Sequence, residues 1–336
     1  MRMVMGSLFV LVGLILVQAV RAGEAQGDSV QVNAGPFHPF CAAAFKKLPI
    51  DEAGRATNES PDGTKVLVEA ELGKLKEHYL RYAADYLAYD TACFFGWKCA
   101  SGCLSDATRE FLSNNAGALF IDEGTDGLVP FCTAFRISDD IIVTAAHCAT
   151  LPNKQFRLFG DPHTPINVEF VAIRFGQGGS DLGDYALLRI AKPKLPFTWT
   201  SADFTREILP RQSIIIVAIS NAVFAAKSMG VEDWLDAVRF SRTNASQVLP
   251  IEEVKPPPST AEYKAECIYH TAPTFEGMSG AAILGVRRPA SSSQSPRRYV
   301  LGIHIRNGAL DAPCGNRPLV NIGIRIPAAV LKLVNK

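Results

Sequence analysis

The chain has 336 residues, of which 48% are hydrophobic, and its formal net charge is +1. This length exceeds one ordinary domain, and the apolar content is enough to build a sizeable core. A net charge so close to zero argues against nucleic acid or an anionic lipid surface as a partner, because no strong electrostatic field would attract a polyanion.

The amino terminus has the pattern of an export signal. Arg2 precedes an apolar stretch at residues 8–20, which Arg21 and Ala22 follow. This pattern predicts a secretory signal peptide over residues 1–22, cleaved near Ala22. The apolar stretch is short for a membrane span, so an uncleaved anchor is the alternative. We therefore expect a secreted or periplasmic protein that has no membrane contact once the signal is removed.

Export would place the eight cysteines in an oxidising compartment, where they are expected to form four disulfides. Cys41, Cys93, Cys99 and Cys103 lie before residue 118, and we expect them to pair among themselves, with three connectivities open. A metal site formed by Cys93, Cys99 and Cys103 is the alternative. Because secretion favours disulfides, we expect neither a metal ion nor a cofactor.

The region before residue 118 is predicted to be helical. Residues 23–63 are polar and rich in turn formers, whereas apolar residues at three- and four-residue spacing then predict a helix over residues 64–89, capped by Thr64. A second short helix is predicted over residues 105–113. The apolar residues of the first helix form a stripe along one face. This stripe is expected to pack in the core, and a substrate-recruiting or self-inhibiting role is the alternative. Its members are Val68, Leu72, Leu75, Tyr79, Tyr82, Tyr86 and Tyr89.

After residue 118 the periodicity becomes that of strands. Residues 166–170 and 171–175 alternate between apolar and polar side chains, and a closing helix is predicted over 328–335. Many short strands between turn signals are typical of closed antiparallel sheets. Further strands are predicted at residues 213–218, 238–241, 267–270, 281–286, 299–305 and 320–326.

Three segments carry residues that suit acyl transfer. His147 follows the apolar run 141–146, Asp184 opens a second apolar run, and Ser279 lies between Gly277 and Gly280. Acyl transfer needs a nucleophile, a base that takes its proton, and a carboxylate that holds the imidazole in the right tautomer. It also needs donors for the developing oxyanion, and the amides of Gly277 and Ser279 are the candidate pair.

These segments resemble those of chymotrypsin-like serine proteases. Residues 143–148, with Cys132 upstream, resemble the histidine loop of that family. Residues 184–188 resemble its aspartate strand, and residues 277–280 its serine loop. The order His, Asp, Ser also separates this family from other enzymes that use the same chemistry. The resemblance covers residues 118–336.

The resemblance implies a mainly β fold with two six-stranded antiparallel β-barrels, and an active site in the crevice between them. Residues 23–117 would form a small helical, disulfide-bonded N-terminal region before a protease domain at 118–336. The cysteines of that domain are expected to pair as Cys132–Cys148 and Cys267–Cys314.

The function implied is that of a secreted serine endopeptidase acting on protein or peptide substrates through an acyl-enzyme. Ser279 would be the nucleophile, His147 the general base and then acid, and Asp184 the group that orients His147. Asp181 is the competing carboxylate, but the run that follows Asp184 favours Asp184.

The chain departs from the family pattern around the nucleophile. Met278 stands where the family has an aspartate that pairs with a newly formed amino terminus, and residues 281–282 are both alanine. No Arg or Lys followed by Ile-Val-Gly-Gly precedes Cys132. The oxyanion loop would then be set by packing. A catalytically lapsed, protease-fold binding protein and an esterase with the same triad are the alternatives.

The specificity pocket is predicted to accept acidic side chains. Pro273 offers no charge for a basic side chain, whereas Thr274 and His304 resemble the acid-recognising pair of glutamyl endopeptidases. A hydroxyl and an imidazole can both donate to a carboxylate, and Arg306 would add positive charge. The alternative is that Thr274 caps a turn and His304 only packs.

Overall fold

The computed structural model describes most of the chain after residue 68, and all described residues belong to one compact unit, residues 34–336. The predicted signal peptide and its cleavage near Ala22 lie outside the described residues. Those residues are 41, 43–44, 47–48, 57–59, 65–67, 69–122, 127–150, 155–176, 180–191, 196, 203–204, 207–242, 246–254, 266–287, 297–307, 314 and 320–332.

Strands dominate the architecture after residue 115. The strands are β1 (Thr57–Glu59), β2 (Lys65–Leu67), β3 (Phe94–Gly96), β4 (Ala116–Asp122), β5 (Leu128–Arg136), β6 (Ile141–Thr144), β7 (Gln155–Leu158), β8 (Ile166–Gly176), β9 (Ser180–Ile190), β10 (Ile214–Ile219), β11 (Val238–Ser241), β12 (Cys267–His270), β13 (Ala282–Arg287), β14 (Arg297–Asn307) and β15 (Asn321–Arg325). The α-helices are α1 (Glu69–Arg81), α2 (Ala83–Cys93), α3 (Ala100–Cys103), α4 (Asp106–Asn115), α5 (Asn221–Ala226) and α6 (Ala328–Leu331).

The first barrel closes through the strand order β4-β5-β6-β9-β8-β7, which confirms a closed six-stranded antiparallel barrel. It begins at Ala116, and Phe120, Phe135 and Phe156 on its strands are fully buried. The two alternating runs predicted at 166–170 and 171–175 form one strand, β8. The pairing register shifts between Phe170 and Ala172, and this irregularity accounts for the change of alternation at residue 171.

The second sheet has seven strands in the order β12-β15-β14-β13-β10-β11-β3. The described strands therefore form a seven-stranded sheet where the resemblance implies a second closed six-stranded barrel, and six of these strands lie in the region predicted to form that barrel. The seventh, β3, comes from the helical N-terminal region and pairs with β11, with Phe94 opposite Ser241. The N-terminal region therefore contributes a strand to the second sheet.

The helix predicted over residues 64–89 is two helices. Residues 65–67 form β2, so Thr64 does not cap a helix, and α1 begins at Glu69. Tyr82 has φ −109° and ψ 28°, which interrupts the helix between α1 and α2. The break brings Tyr79 and Tyr86 into edge-to-face contact, with ring centroids 5.0 Å apart. Leu75, Tyr79, Tyr86 and Tyr89 are buried, as expected of a core stripe.

The second predicted helix is confirmed as α4, and Ser105 caps it by accepting a hydrogen bond from the Thr108 amide. The closing helix is shorter than predicted and is described over Ala328–Leu331. Among the described helices, none combines the length and the apolar character needed to cross a membrane.

All eight cysteines are disulfide-bonded. The structure pairs Cys132 with Cys148 and Cys267 with Cys314, the two expected pairs. The first four pair among themselves as Cys41–Cys93 and Cys99–Cys103. The metal-site alternative for Cys93, Cys99 and Cys103 is therefore wrong, because these sulfurs are already bonded to other cysteines.

Candidate active site

The pairing of two barrel strands brings His147 to Asp184. Strand β6 ends at Thr144, which lies opposite Ala186 on β9, and the turn Ala146–Ala149 follows at once. The His147 ring lies with Nδ1 2.9 Å from Asp184 Oδ2, and the His147 amide donates to Asp184 Oδ1 at 3.1 Å. One carboxylate therefore fixes both the ring and the backbone of His147.

The Asp184 carboxyl has a pKa below its usual value. Burial acts to raise this pKa, but the nearby imidazole of His147 and the backbone amides of His147 and Ala146 outweigh that effect. Asp184 is therefore ionised at neutral pH. An ionised carboxylate at Nδ1 favours the tautomer in which Nδ1 carries the proton, which leaves Nε2 able to accept one. Asp181 lies on the same strand, β9, and its side chain is outside the described residues.

The serine loop, residues 274–280, docks on the barrel that carries His147. The Thr133 amide donates to the Ser279 carbonyl at 2.9 Å, and Thr133 follows Cys132, which is bonded to Cys148 beside His147. Cys148 Sγ lies 3.8 Å from the Ser279 carbonyl oxygen. The Ser279 side chain is half-buried, and its hydroxyl donates to the Ile305 carbonyl of β14 at 3.1 Å. The structure therefore places the Ser279 backbone against Cys148, the neighbour of His147, while Asp184 holds the His147 ring.

The amides of Gly277 and Ser279 are among those of the serine loop for which no acceptor is seen within the described residues. The Glu276 carbonyl accepts from the Asn221 amide at 2.9 Å. In a trans peptide the carbonyl and the next amide point to opposite sides, so the Gly277 N–H points away from Asn221. The Met278 carbonyl accepts from the Ala281 amide, which turns the Ser279 N–H away from Ala281 by the same geometry.

Glycine is required at two positions of this loop. Gly277 has φ +91° and Gly280 has φ +86°, both in the region that L side chains rarely adopt. A Cβ at Gly280 would lie 2.1 Å from the Thr133 carbonyl oxygen. The Thr133 hydroxyl donates to the Gly277 carbonyl at 3.0 Å and accepts from the Ile219 amide at 3.1 Å. Thr133 and Asn221 thus hold the loop, and no local sequence pattern indicates either role.

Met278 is buried rather than paired. It is 1% exposed, and its sulfur accepts from the Phe275 amide at 3.3 Å. The position where the resemblance expects an ion-pairing aspartate therefore holds an apolar side chain inside the loop. This agrees with the hypothesis that packing sets the oxyanion loop.

The predicted specificity residues have partners inside the second sheet. The Thr274 hydroxyl donates to Asn321 Oδ1 at 3.0 Å, and His304 Nδ1 lies 3.2 Å from His270 Nε2. Thr274, His270 and His304 are all buried. Arg306 is half-buried, and its charge acts on the His304 ring. Sequence reasoning missed His270 and Asn321, which lie opposite each other on β12 and β15.

Burial keeps the two histidines neutral. It lowers the pKa of His270 well below the usual value, with His304 adding to the effect. It also lowers the pKa of His304 to about 3, and the charges of His147 and Arg306 act in the same direction. His270 Nδ1 is buried with no partner among the described residues. A proton there would be an unsatisfied donor, so the favoured tautomer places it on Nε2, which donates to His304 Nδ1. His304 Nε2 then carries a proton.

We expect the free energy of unfolding to fall as the pH drops below 6.5. The unfolded chain binds protons at both histidines near pH 6.5, whereas the folded state excludes them until the much lower folded pKa is reached. For His304 alone the loss between pH 6.5 and pH 4 is about 3 kcal/mol, at 1.36 kcal/mol per pH unit. Denaturant unfolding at several pH values measures it.

The matched variants are His304→Gln and His163→Gln. His304→Gln removes a buried titrating ring, so it is expected to flatten the dependence of the unfolding free energy on pH. The His163 side chain is 71% exposed, so His163→Gln should leave that dependence unchanged. If the unfolding free energy changed with pH equally in the wild-type protein and in His304→Gln, the assignment of this pH dependence to His304 would be contradicted.

Comparisons with known proteins agree with this architecture. Residues 132–287 match the family described as the trypsin-like peptidase domain, a span that contains His147, Asp184 and Ser279. Over that span, just under half of the chain, the sequence is similar to a trypsin-like peptidase domain. No curated protein matches the chain.

Several solved structures of serine proteases are similar in fold. The active form of the Rv3671c protease from M. tuberculosis is 14% identical, with 69% of this chain and 83% of that chain covered and a TM-score of 0.39. Neuropsin, a serine protease expressed in the limbic system of mouse brain, is 16% identical, with 67% and 95% covered and a TM-score of 0.43. Kallikrein-related peptidase 10, in complex with Zn²⁺, is 14% identical, with 67% and 94% covered and a TM-score of 0.42.

Proposed function

We propose that this chain is a serine endopeptidase that hydrolyses peptide bonds through Ser279, His147 and Asp184. The observation that carries the proposal is the 2.9 Å contact between His147 Nδ1 and Asp184 Oδ2, with the Ser279 carbonyl oxygen 3.8 Å from Sγ of Cys148, the neighbour of His147. The unengaged amides of Gly277 and Ser279 support it, because they offer two donors next to the hydroxyl.

The reaction begins with a rotation of the Ser279 side chain. Its hydroxyl leaves the Ile305 carbonyl and turns to His147 Nε2, which takes the proton as oxygen attacks the substrate carbonyl carbon. The negative charge develops on the substrate carbonyl oxygen, where the Gly277 and Ser279 amides donate to it. Asp184 stabilises the imidazolium, which then passes its proton to the leaving amine. Water repeats these steps on the acyl-enzyme, releases the acid and restores the Ser279 hydroxyl.

Strand β14 supports a peptide as the substrate. The pairing of β14 with β15 shifts between His304 and Arg306, so Ile305 lies outside the regular ladder. Once Ser279 rotates away, the Ile305 carbonyl can accept a backbone N–H from an extended substrate chain. A simple ester, with no amino-acid residue in its acyl part, has no such N–H to offer. The contact therefore favours the peptidase over the esterase alternative.

Fluorophosphonate labelling tests the proposal against a lapsed, binding-only protein. A fluorophosphonate probe reacts with an activated serine, so labelling is expected at Ser279 in the wild-type protein and absent in the Ser279→Ala variant. Comparing the turnover of peptide amides with that of simple esters separates a peptidase from an esterase. A wild-type protein that is folded but not labelled would contradict the enzyme proposal.

We further propose a preference for an acidic residue on the amino-terminal side of the cleaved bond. His304 supports this preference because its favoured tautomer leaves a proton on Nε2, and Arg306 adds positive charge nearby. The Thr274 hydroxyl would have to turn from Asn321 to reach a ligand. Because the pKa of His304 is about 3, this imidazole would act as a neutral donor at neutral pH.

A peptide panel that varies only the residue before the cleaved bond tests the preference. We expect kcat/KM for Glu to exceed that for the isosteric Gln by about 10-fold or more, in line with one charge-assisted hydrogen bond of 1.5–3 kcal/mol. The ratio should stay constant between pH 6 and pH 8, because His304 does not titrate there. Fastest cleavage after Lys, Arg or Phe would contradict the acidic pocket.

Export of the protein also remains a proposal. The disulfide state of all eight cysteines supports it, because such bonds persist in oxidising compartments. Mass spectrometry of secreted material is expected to find a mature amino terminus just after Ala22, and retention of residues 1–22 would contradict cleavage there.

A further inference from the structure

The helical N-terminal region contacts the loop that carries the nucleophile. We propose that an aromatic clamp, formed by Tyr89 of α2, Phe94 of β3 and Phe275 of the serine loop, positions that loop for catalysis. The inference rests on the proposed function, because it assigns a positioning role toward Ser279. The family match covers residues 132–287, so Tyr89 and Phe94 lie outside it.

The three rings of the aromatic clamp contact one another. Phe94 stacks on Phe275 with centroids 4.7 Å apart and an interplanar angle of 25°. Tyr89 meets Phe275 edge to face at 4.8 Å and meets Phe94 edge to face at 5.4 Å. All three side chains are buried. Because offset stacking and edge-to-face contacts have defined geometry, the cluster restrains the position of Phe275 more closely than aliphatic packing would.

The N-terminal helices also interact with the residues on either side of Phe275. The Tyr89 hydroxyl donates to the Thr274 carbonyl at 3.3 Å. Tyr79 of α1 lies near Glu276, and burial raises the pKa of both groups. The N-terminal helices therefore contact Thr274 and Phe275 directly, two of the three residues that immediately precede Gly277.

The second sheet and a disulfide hold the residues that carry the aromatic clamp. Phe94 belongs to β3, which is paired with β11, and the Arg242 amide donates to the Cys93 carbonyl at 2.8 Å. One helical turn before Phe94, Asp90 forms a buried ion pair with Arg239 of β11, with Oδ2 3.0 Å from Nη2. The Cys41–Cys93 disulfide ties the same point of the chain. These contacts transmit the rigidity of the second sheet to the aromatic clamp.

The aromatic clamp explains how the oxyanion loop can be ordered although Met278 replaces the ion-pairing aspartate. An aspartate at this position in the family orders the oxyanion loop through an ion pair, which a methionine cannot form. Here Met278 packs inside the loop, and the aromatic clamp holds the loop from the side of the N-terminal helices. Residues 69–96 are thereby a permanent part of the active site, and catalysis needs no cleavage event to order the loop.

Tyr89→Leu in the full-length protein tests the aromatic clamp. Misplacing an oxyanion donor costs about 100-fold or more in kcat, so we expect the partial loss of restraint to lower kcat by about 30-fold with KM changed less than about threefold. Tyr89→Phe keeps the ring and loses only the bond to Thr274, so it should retain at least about a third of wild-type kcat. Tyr82→Leu is the matched control. The Tyr82 ring is half-buried and lies between the same two helices, but it contacts His78, with ring centroids 4.9 Å apart, rather than the serine loop.

Active-site titration separates positioning from general destabilisation. The rate is referred to the concentration of sites that the fluorophosphonate labels. A lower kcat per labelled site in Tyr89→Leu supports the aromatic clamp, whereas fewer labelled sites with normal kcat per site would overturn it.

Hydrogen exchange over residues 275–281 gives a second readout that does not depend on activity. It should speed up by about 10-fold or more in Tyr89→Leu and stay unchanged in Tyr82→Leu, since amides in a loosened loop open more often. Equal exchange in the two variants would overturn the aromatic clamp even if the wild-type protein proved inactive. An unlabelled wild-type protein, by contrast, would overturn the proposed function.

Discussion

Replacing Ser279 by alanine is expected to lower kcat for peptide substrates by on the order of 10⁴-fold or more, because it removes the nucleophile from a triad whose members act as a unit. Among the described residues, its side chain hydrogen-bonds only to the Ile305 carbonyl, so little folding energy depends on the hydroxyl. The melting temperature should therefore change little. Hydrolysis of a fluorogenic peptide and fluorophosphonate labelling measure the effect.

The control for this substitution is Ser101→Ala, on the exposed surface of α3. It makes the same chemical change far along the chain from the serine loop and is expected to leave kcat and labelling at wild-type values. Wild-type peptidase activity in Ser279→Ala would contradict the assignment of the nucleophile. Residual activity some 10³-fold above the uncatalysed rate would still agree with it, because the oxyanion donors and substrate binding remain.

The first barrel, most strands of the second sheet and the candidate triad segments could be predicted from the sequence because their signals are local. His147 follows the short strand β6, and Asp184 lies within β9, just before the apolar run of that strand. Ser279 is flanked by glycines that a turn with positive φ requires. Each pattern is complete within about eight residues, so no knowledge of distant contacts was needed to recognise it.

The N-terminal region was predicted less accurately because long-range contacts decide its local structure. The stripe of tyrosines has helical spacing through residue 82, yet the helix breaks there so that Tyr79 and Tyr86 can meet edge to face. Strand β3 has three residues and no alternation to reveal it. Its existence depends on pairing with β11, about 145 residues later in the chain.

The supports of the active site were beyond sequence reasoning for the same reason. Asn221 is an ordinary first residue of a short helix until its amide is seen to hold the Glu276 carbonyl. The His270 ring acquires its role only through its contact with His304, 34 residues away. A side chain whose function is to hold another segment leaves no local pattern, because the partner it holds can lie anywhere along the chain.

Replacing Gly277 by alanine is expected to lower kcat by about 10²- to 10³-fold while KM stays within about threefold of the wild-type value. An alanine Cβ would lie 2.3 Å from Asn221 Oδ1 in a backbone with φ +91°, so the peptide that carries the Gly277 N–H has to turn. The substitution thus removes one of the two oxyanion donors and leaves Ser279 and His147 in place.

Two comparisons identify the lost interaction as one made in the transition state. A peptide aldehyde, which becomes a tetrahedral adduct of Ser279, should bind Gly277→Ala more weakly by roughly the factor lost in kcat, whereas a product-like peptide acid should bind nearly as before. Gly102→Ala places the same methyl group where nothing lies within 4 Å, and it should preserve activity. If folded Gly277→Ala kept kcat within about threefold of wild type, the Gly277 amide would not be an oxyanion donor. Catalysis would then depend on the Ser279 amide or on a different arrangement of the loop.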